Sequence, residues 1–170
     1  MGVGSQRRDF VEFYRESCDD CLRTVLVSVG DRDTAQDLVD EAFARAFASW
    51  RTVSRHPAPA AWVVRTALNA NISRWRRRHR EVSVPDPGLI ADPTAADGVG
   101  GLVDPKIRTA LMRLPTRQRQ VVALRLFLDL DTARTAEVLG VAPSTVKAHL
   151  ARALASLRDL IPTPQQEIPS

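Results

Sequence analysis

Cysteine is nearly absent. The chain of 170 residues has two, Cys18 and Cys21, in the stretch SCDDCL. A lone CxxC invites a zinc or redox reading, but a structural zinc takes about four ligands. No second CxxC exists, and His56, His79 and His149 are scattered. The surrounding pattern is helical, unlike the strand-then-helix setting of a thioredoxin-type motif. Two small side chains on a helix are the expectation, with no metal site. No apolar run approaches the roughly 18 residues of a membrane span. The first residues, MGVGSQRRDF, lack the apolar region of a signal peptide, so a cytoplasmic location is expected. There is no P-loop, no GxGxxG, no metal-ligand spacing and no nucleophile–base arrangement. The expectation is a protein that is not an enzyme, with no cofactor and no small-molecule substrate. No strand candidate and no internal repeat stands out, so the expected fold class is all-α.

Charge of one sign is also missing from two of four consecutive blocks. Residues 1–50 carry 6 basic and 10 acidic side chains. Residues 51–80 carry 8 basic and no acidic ones, whereas residues 81–104 carry 5 acidic and no basic ones. Residues 105–170 carry 10 basic and 5 acidic, and the whole chain is +4. Two basic blocks around an acidic one suggest two polyanion-binding surfaces joined by a segment that does not bind.

Apolar spacing of three and four predicts a helix over 6–29, through Phe10, Phe13, Tyr14, Cys21, Leu22, Val25 and Val29, with Gly30 as its stop. Asp33 is read as the cap of a second helix, with Gln36 completing a capping box. The apolar side of that helix is Leu38, Val39, Ala42, Phe43, Ala46, Phe47 and Trp50; Asp37, Asp40 and Glu41 lie opposite. Pro57 and Pro59 fit a turn and the first turn of a third helix, over about 59–80. Arg65, Asn69, Ser73, Arg76 and Arg80 follow at steps of three and four, so they share a polar stripe. This helix ends in SRWRRRHR, with five basic side chains within residues 74–80. A solvated basic face and a membrane-surface helix are the plainer readings of such a run. Asn69 and Ser73 suit bases or backbone better than lipid.

Residues 81–103 hold three prolines, four glycines and no basic residue, and read as a flexible linker between domains 6–80 and 104–161. Asp104 and Pro105 start the next helix, a further helix runs through Phe127, and Asp131 caps a short one ending at Leu139. Residues 162–170 read as a disordered tail.

Ala136, Gly140 and Val146 stand as A-x3-G-x5-V. The small residue lets two helices approach, the glycine takes a positive-φ turn, and the valine plugs the second helix into the core. That is a helix-turn-helix, whose second helix fits a major groove about 12 Å wide. Ser144, Thr145, Lys147, Ala148, His149 and Arg152 would face outward. An ordinary helical hairpin is the bland alternative; the basic outer face favours DNA.

The order of these motifs resembles the extracytoplasmic-function (group IV, ECF) sigma factors of the bacterial sigma-70 family, over about residues 8–160. DLVDEAFARAF looks like the segment that binds the β′ clamp helices of core RNA polymerase. AWVVRTALNANISRWRRRHR looks like the segment that melts and reads the −10 element. LPTRQRQVVALRLFLDL and LGVAPSTVKAHLARALASLR look like the −35-reading domain. The resemblance implies that Asp37, Leu38, Val39, Glu41 and Phe43 dock on polymerase. It implies that Arg65, Asn69, Ser73, Arg76, Arg77 and Arg80 hold the −10 strand, with Asn69 near a flipped-out base. Ser144, Thr145, Lys147, His149 and Arg152 would read −35 DNA. Trp62 and Trp75 are assigned to core packing instead.

The partners so implied are bacterial core RNA polymerase (β′ clamp helices and β flap), promoter DNA and, as in many members, an anti-sigma factor; the free protein is expected to be a monomer. The resemblance also allows a closed state in which the two domains pack together and hide both DNA surfaces. The acidic linker would thread toward the RNA exit path. The sequence departs from the family pattern at Ser73, where Asp is frequent, and at Ala133, Arg134, Thr135, Ala142 and His149 around the helix-turn-helix. The alternative is a LuxR-like helix-turn-helix regulator binding duplex DNA without polymerase, for which APSTVKAHL fits. Such a protein should carry a βα receiver, and the N-terminal half here is helical. A helical adaptor binding protein through the acidic second helix is a third reading; it leaves the recognition helix unexplained.

Overall fold

The computed structural model describes residues 2–80 and 101–161. The tail, and all of the expected linker but residues 101–103, lie outside them. The described residues form eight α-helices and no strand: α1 Val3–Val29, α2 Arg32–Ala48, α3 Trp50–Val53, α4 Pro59–Arg78, α5 Pro105–Met112, α6 Thr116–Phe127, α7 Thr132–Leu139 and α8 Pro143–Leu160. The all-α expectation holds.

The ends of these helices follow local chemistry. Gly30 takes a left-handed φ of 82° and its N–H returns to the Leu26 carbonyl at 2.8 Å, closing α1. Asp104 accepts from the amides of Lys106 and Ile107, and Asp131 from that of Arg134. The cap of α2 is Asp31 rather than Asp33: its carboxylate accepts from the Thr34 amide at 2.8 Å. Gln36 does not reach back to the cap; it bonds Asp40 one turn on. The short α3 was not foreseen, because four residues are too few to show a period. It buries Trp50 and Val53.

The hydrogen bond with Thr34 holds the Asp31 carboxyl below its ordinary range. A depressed folded pKa means that this stability is present above the unfolded value of about 3.9 and is lost as pH falls through the folded value. Asp31→Asn keeps a capping acceptor that does not titrate. Its thermal midpoint should therefore fall less steeply on acidification than that of the wild type. Asp31→Ala should cost about 1 kcal/mol at pH 7 in a denaturant titration.

Helices α1, α2 and α4 pack on one another, as do α6, α7 and α8. The two groups share a core. Leu22, Val25, Val64 and Leu68 belong to the same buried cluster as Val121, Leu124, Val138 and Val146. The cause lies in α1. Its last third, CLRTVLVSV, is apolar on nearly every face, and Cys21, Leu22 and Thr24 through Ser28 are all buried. A helix that is apolar all round needs cover on all sides; α2 and α4 cover one flank and α6 the other. The outermost linker residues join in: Val103 is buried and Leu102 packs against the core, so residues 102–103 are not free spacer.

Candidate nucleic-acid and partner interfaces

Helix α4 begins at Pro59, whose missing N–H suits a first turn. Its apolar side, Ala61, Val63, Val64, Ala67 and Leu68, is buried. That fixes the rotation of the helix, and Arg65, Asn69, Ser73, Arg76, Arg77 and Arg80 all come out exposed. The basic run itself is divided. Arg76, Arg77, Arg78 and Arg80 are in solvent. Arg74 turns toward α2 and pairs with Glu41. His79 stacks on Trp75, ring centroids 4.6 Å apart, and its Nδ1 lies 2.8 Å from the Trp75 carbonyl.

Between α2 and α4 lies a pocket of about 430 Å³ lined by Arg45, Ala48, Ser49, Trp62, Thr66 and Asn69. It offers an aromatic ring, two hydroxyls, an amide and a guanidinium. Those are groups suited to an unstacked nucleobase beside a phosphate. Glu41 stands behind it, pairing with Arg45 at 2.6 Å through one oxygen and with Arg74 through the other. Sequence reasoning placed Trp62 in the core. It does pack there, half-buried, but it lines this pocket as well. The signal was available: Trp62, Thr66 and Asn69 follow at steps of four and three, one stripe of α4.

Helix α2 divides the residues expected to dock on polymerase. Asp37 is exposed and Glu41 half-buried. Leu38 and Val39 are fully buried and Phe43 is 3% exposed. In this arrangement the three apolar residues are enclosed and hold α2 against the rest of its bundle. Phe43 packs with Phe13 and Tyr14, at centroid distances of 5.8 and 4.9 Å. The face left open carries Asp37, Asp40, Ala44 and Phe47. Phe47 is 51% exposed and was expected on the buried side.

The helix-turn-helix has the geometry its spacing implies. Ala136 is buried, Gly140 has φ 64° and Val146 is fully buried. On α8, Ser144, Lys147, Ala148 and Arg152 are exposed, whereas Thr145 and His149 are half-buried. The Nδ1 of His149 is enclosed and has no hydrogen-bond partner. The packing of the two helical groups does occur, but it leaves most of these surfaces open: Arg65, Arg76, Arg77 and Arg78 of α4 and Ser144, Lys147, Ala148 and Arg152 of α8 stay in solvent, while Thr145 and His149 are half-buried.

The cysteines are free. Cys21 is buried, its thiol directed at the Ala60 carbonyl at 3.8 Å, and burial pushes its pKa up. The hydrogen bond with Cys18 leads the causes that push the Tyr14 hydroxyl up to about 12. Among the described residues, no group of three or more His, Cys, Asp or Glu side chains could hold a metal ion.

Residues 15–81 match the model of sigma-70 region 2, and residues 105–157 that of sigma-70, region 4. The chain belongs to the sigma-70 family. This sigma factor is 34% identical to the RNA polymerase sigma-E factor of Streptomyces coelicolor over 152 residues, 89% of this chain and 85% of that protein. It is 30% identical to the ECF RNA polymerase sigma factor SigM of Mycobacterium tuberculosis, over 94% of this chain and 80% of that protein. It is therefore an RNA polymerase sigma factor of the extracytoplasmic-function group. Its fold is also that of the sigma factor RpoE of Bartonella quintana, solved in complex with the anti-sigma factor NepR. The TM-score is 0.69 at 22% identity, over 90% of this chain and 96% of that one. The LuxR-like alternative is not favoured.

Proposed function

We propose that α4 holds the melted −10 strand, that α8 reads −35 duplex, and that the exposed part of α2 docks on the β′ clamp helices. The observation that carries this is the α2–α4 pocket. It sits among residues that match sigma-70 region 2, has Asn69 on its wall, and opens on the same helix that exposes Arg65, Ser73, Arg76 and Arg77, with Arg80 just past its end. An unstacked base would enter beside Trp62 and Asn69, while the arginines follow the phosphates. Lys147 and Arg152 are exposed cations on the first three turns of α8 and take the duplex, with Ser144 and Thr145 at phosphate or base edges. His149, half-buried, contributes from the side.

Docking falls to Asp37, with Asp40 and Phe47 beside it; Leu38, Val39 and Phe43 act by shaping the helix, and Glu41 by ordering its two arginines. The division into residues 6–80 and 104–161 follows the same assignment. The protein acts as a monomeric binding factor without chemistry of its own, beside polymerase in the cytoplasm. The described helices include none long and apolar enough to cross a membrane. An anti-sigma factor is a fitting regulator, since a sigma factor of this fold, RpoE of Bartonella quintana, has been solved with the anti-sigma factor NepR.

The test is co-elution with core RNA polymerase on size exclusion, comparing wild type with Asp37→Arg plus Asp40→Arg. Both positions are exposed, so the variant should keep its helical circular dichroism and bind at least about tenfold more weakly, as for reversal of rim charges. Wild-type protein that ignores polymerase yet binds duplex promoter tightly would reject the reading in favour of an independent regulator.

A further inference from the structure

Promoter reading by a sigma factor requires distance between two surfaces that the structure holds together. Elements named −35 and −10 lie about 25 base pairs apart, roughly 85 Å of B-DNA at about 3.4 Å per step. Helix α4 packs directly on α7, and packed helices lie about 8–10 Å apart. The two helical groups must therefore separate before both elements are read.

Most of the seam between them is well made. Val27 of α1 completes a cluster otherwise supplied by Val103 and the second group, including Leu111, Leu114 and Ala153. Arg23 donates to the Leu102 carbonyl at 2.7 Å while paired with Asp20. Arg119 of α6 is different. It is 2% exposed and reaches across the seam to the Ser28 carbonyl near the end of α1. Its other contacts are the Leu114 carbonyl and the Thr116 hydroxyl, and all three lie at 3.4–3.5 Å. Its Nε has no partner, and none of the ion pairs among the described residues includes it. Burial lowers its pKa. The carbonyl end of α1 offers partial negative charge, but long neutral bonds do not replace hydration of a guanidinium.

We propose that Arg119 is a built-in weak point of the closed packing: closing buries its charge without a carboxylate, opening returns it to water, and the closed state is thereby kept loose enough for core polymerase to open. The gating half of this proposal rests on the sigma-factor reading of the chain. Replacing an uncompensated buried cation with an apolar side chain of similar length should tighten the seam, because the bonds given up are weak and the desolvation cost disappears.

The experiment labels the exposed positions Arg55 and Ala155 with a fluorescent donor and acceptor through noncanonical residues, leaving Cys18 and Cys21 intact. Single-molecule energy transfer then reads the open population of the free protein. In parallel, stopped flow reads the association rate with core polymerase. Arg119→Met, and Arg119→Leu as a second apolar variant, should lower the open population about tenfold and slow association correspondingly. Arg119→Lys, which keeps the charge, should not close the protein further. Val27→Ala should raise the open population and speed association.

An open population that Arg119→Met and Arg119→Leu leave unchanged or raise, in an assay where Val27→Ala raises it, overturns the proposal. A tighter seam with an unchanged association rate overturns the gating half. If no variant binds polymerase, wild type included, the sigma-factor reading fails instead, and the open population still decides the role of Arg119.

Discussion

Replacing Arg76, Arg77 and Arg80 together with alanine is expected to weaken binding of the polymerase–sigma complex to an open promoter by about 100-fold at moderate salt. The slope of log affinity against log salt should become shallower by about 2, since each single-strand phosphate left without its cation takes roughly 0.7 from the slope. All three side chains are exposed, and none belongs to an ion pair among the described residues. Their removal should thus leave the unfolding midpoint and the affinity for core polymerase near wild type. Filter binding across a salt series reads the effect. An unchanged slope would return the run to the status of a solvated basic face. Arg74→Ala makes the contrast. It removes a cation already paired with Glu41, so it should change the salt slope less and disturb the α2–α4 pocket more.

Phe43→Ala is expected to lower the unfolding free energy by about 3–5 kcal/mol, the cost of emptying a packed aromatic site. Phe43 is 3% exposed, and its ring meets those of Phe10, Phe13 and Tyr14. A domain with about 5–15 kcal/mol in hand loses a large share of its stability, and polymerase binding falls through the folded fraction alone. Urea unfolding with polymerase titration at low temperature separates the two. Were the stability cost below about 1 kcal/mol while binding vanished from a fully folded variant, Phe43 would be a direct contact and the assignment of docking to Asp37 and its exposed neighbours would be wrong.

That distinction marks where sequence reading reached its limit on α2. The stripe Leu38, Val39, Ala42, Phe43 and Ala46 was legible as a buried face from its spacing alone. Assigning three of those residues to a partner as well came from the family resemblance, whereas in this arrangement all three are enclosed. Phe47 shows the converse. It lies on the same periodic stripe, yet the turn it occupies extends past its cover, so periodicity predicted burial and the structure exposes half of it. The pocket was half legible: Asn69 was singled out by its stripe, whereas Arg45, Ala48 and Ser49 come from another helix that no spacing within α4 can bring alongside.

The helical composition, the caps at Asp104 and Asp131, the turns at Gly30 and Gly140, the A-x3-G-x5-V helix-turn-helix and the basic face of α4 were legible along the chain. These are consequences of spacing and local hydrogen bonding, which act over a few residues. Only the packing brings the two helical groups onto a shared core, encloses Arg119 at their seam against Ser28, and pairs Glu41 with both Arg74 and the pocket-lining Arg45. The Arg74–Glu41 and Arg119–Ser28 bonds join residues 33 and 91 positions apart. The all-round apolar end of α1 announced that some surface must cover it. Only the packing chose which, because burial of apolar area is non-directional and many partners would satisfy it.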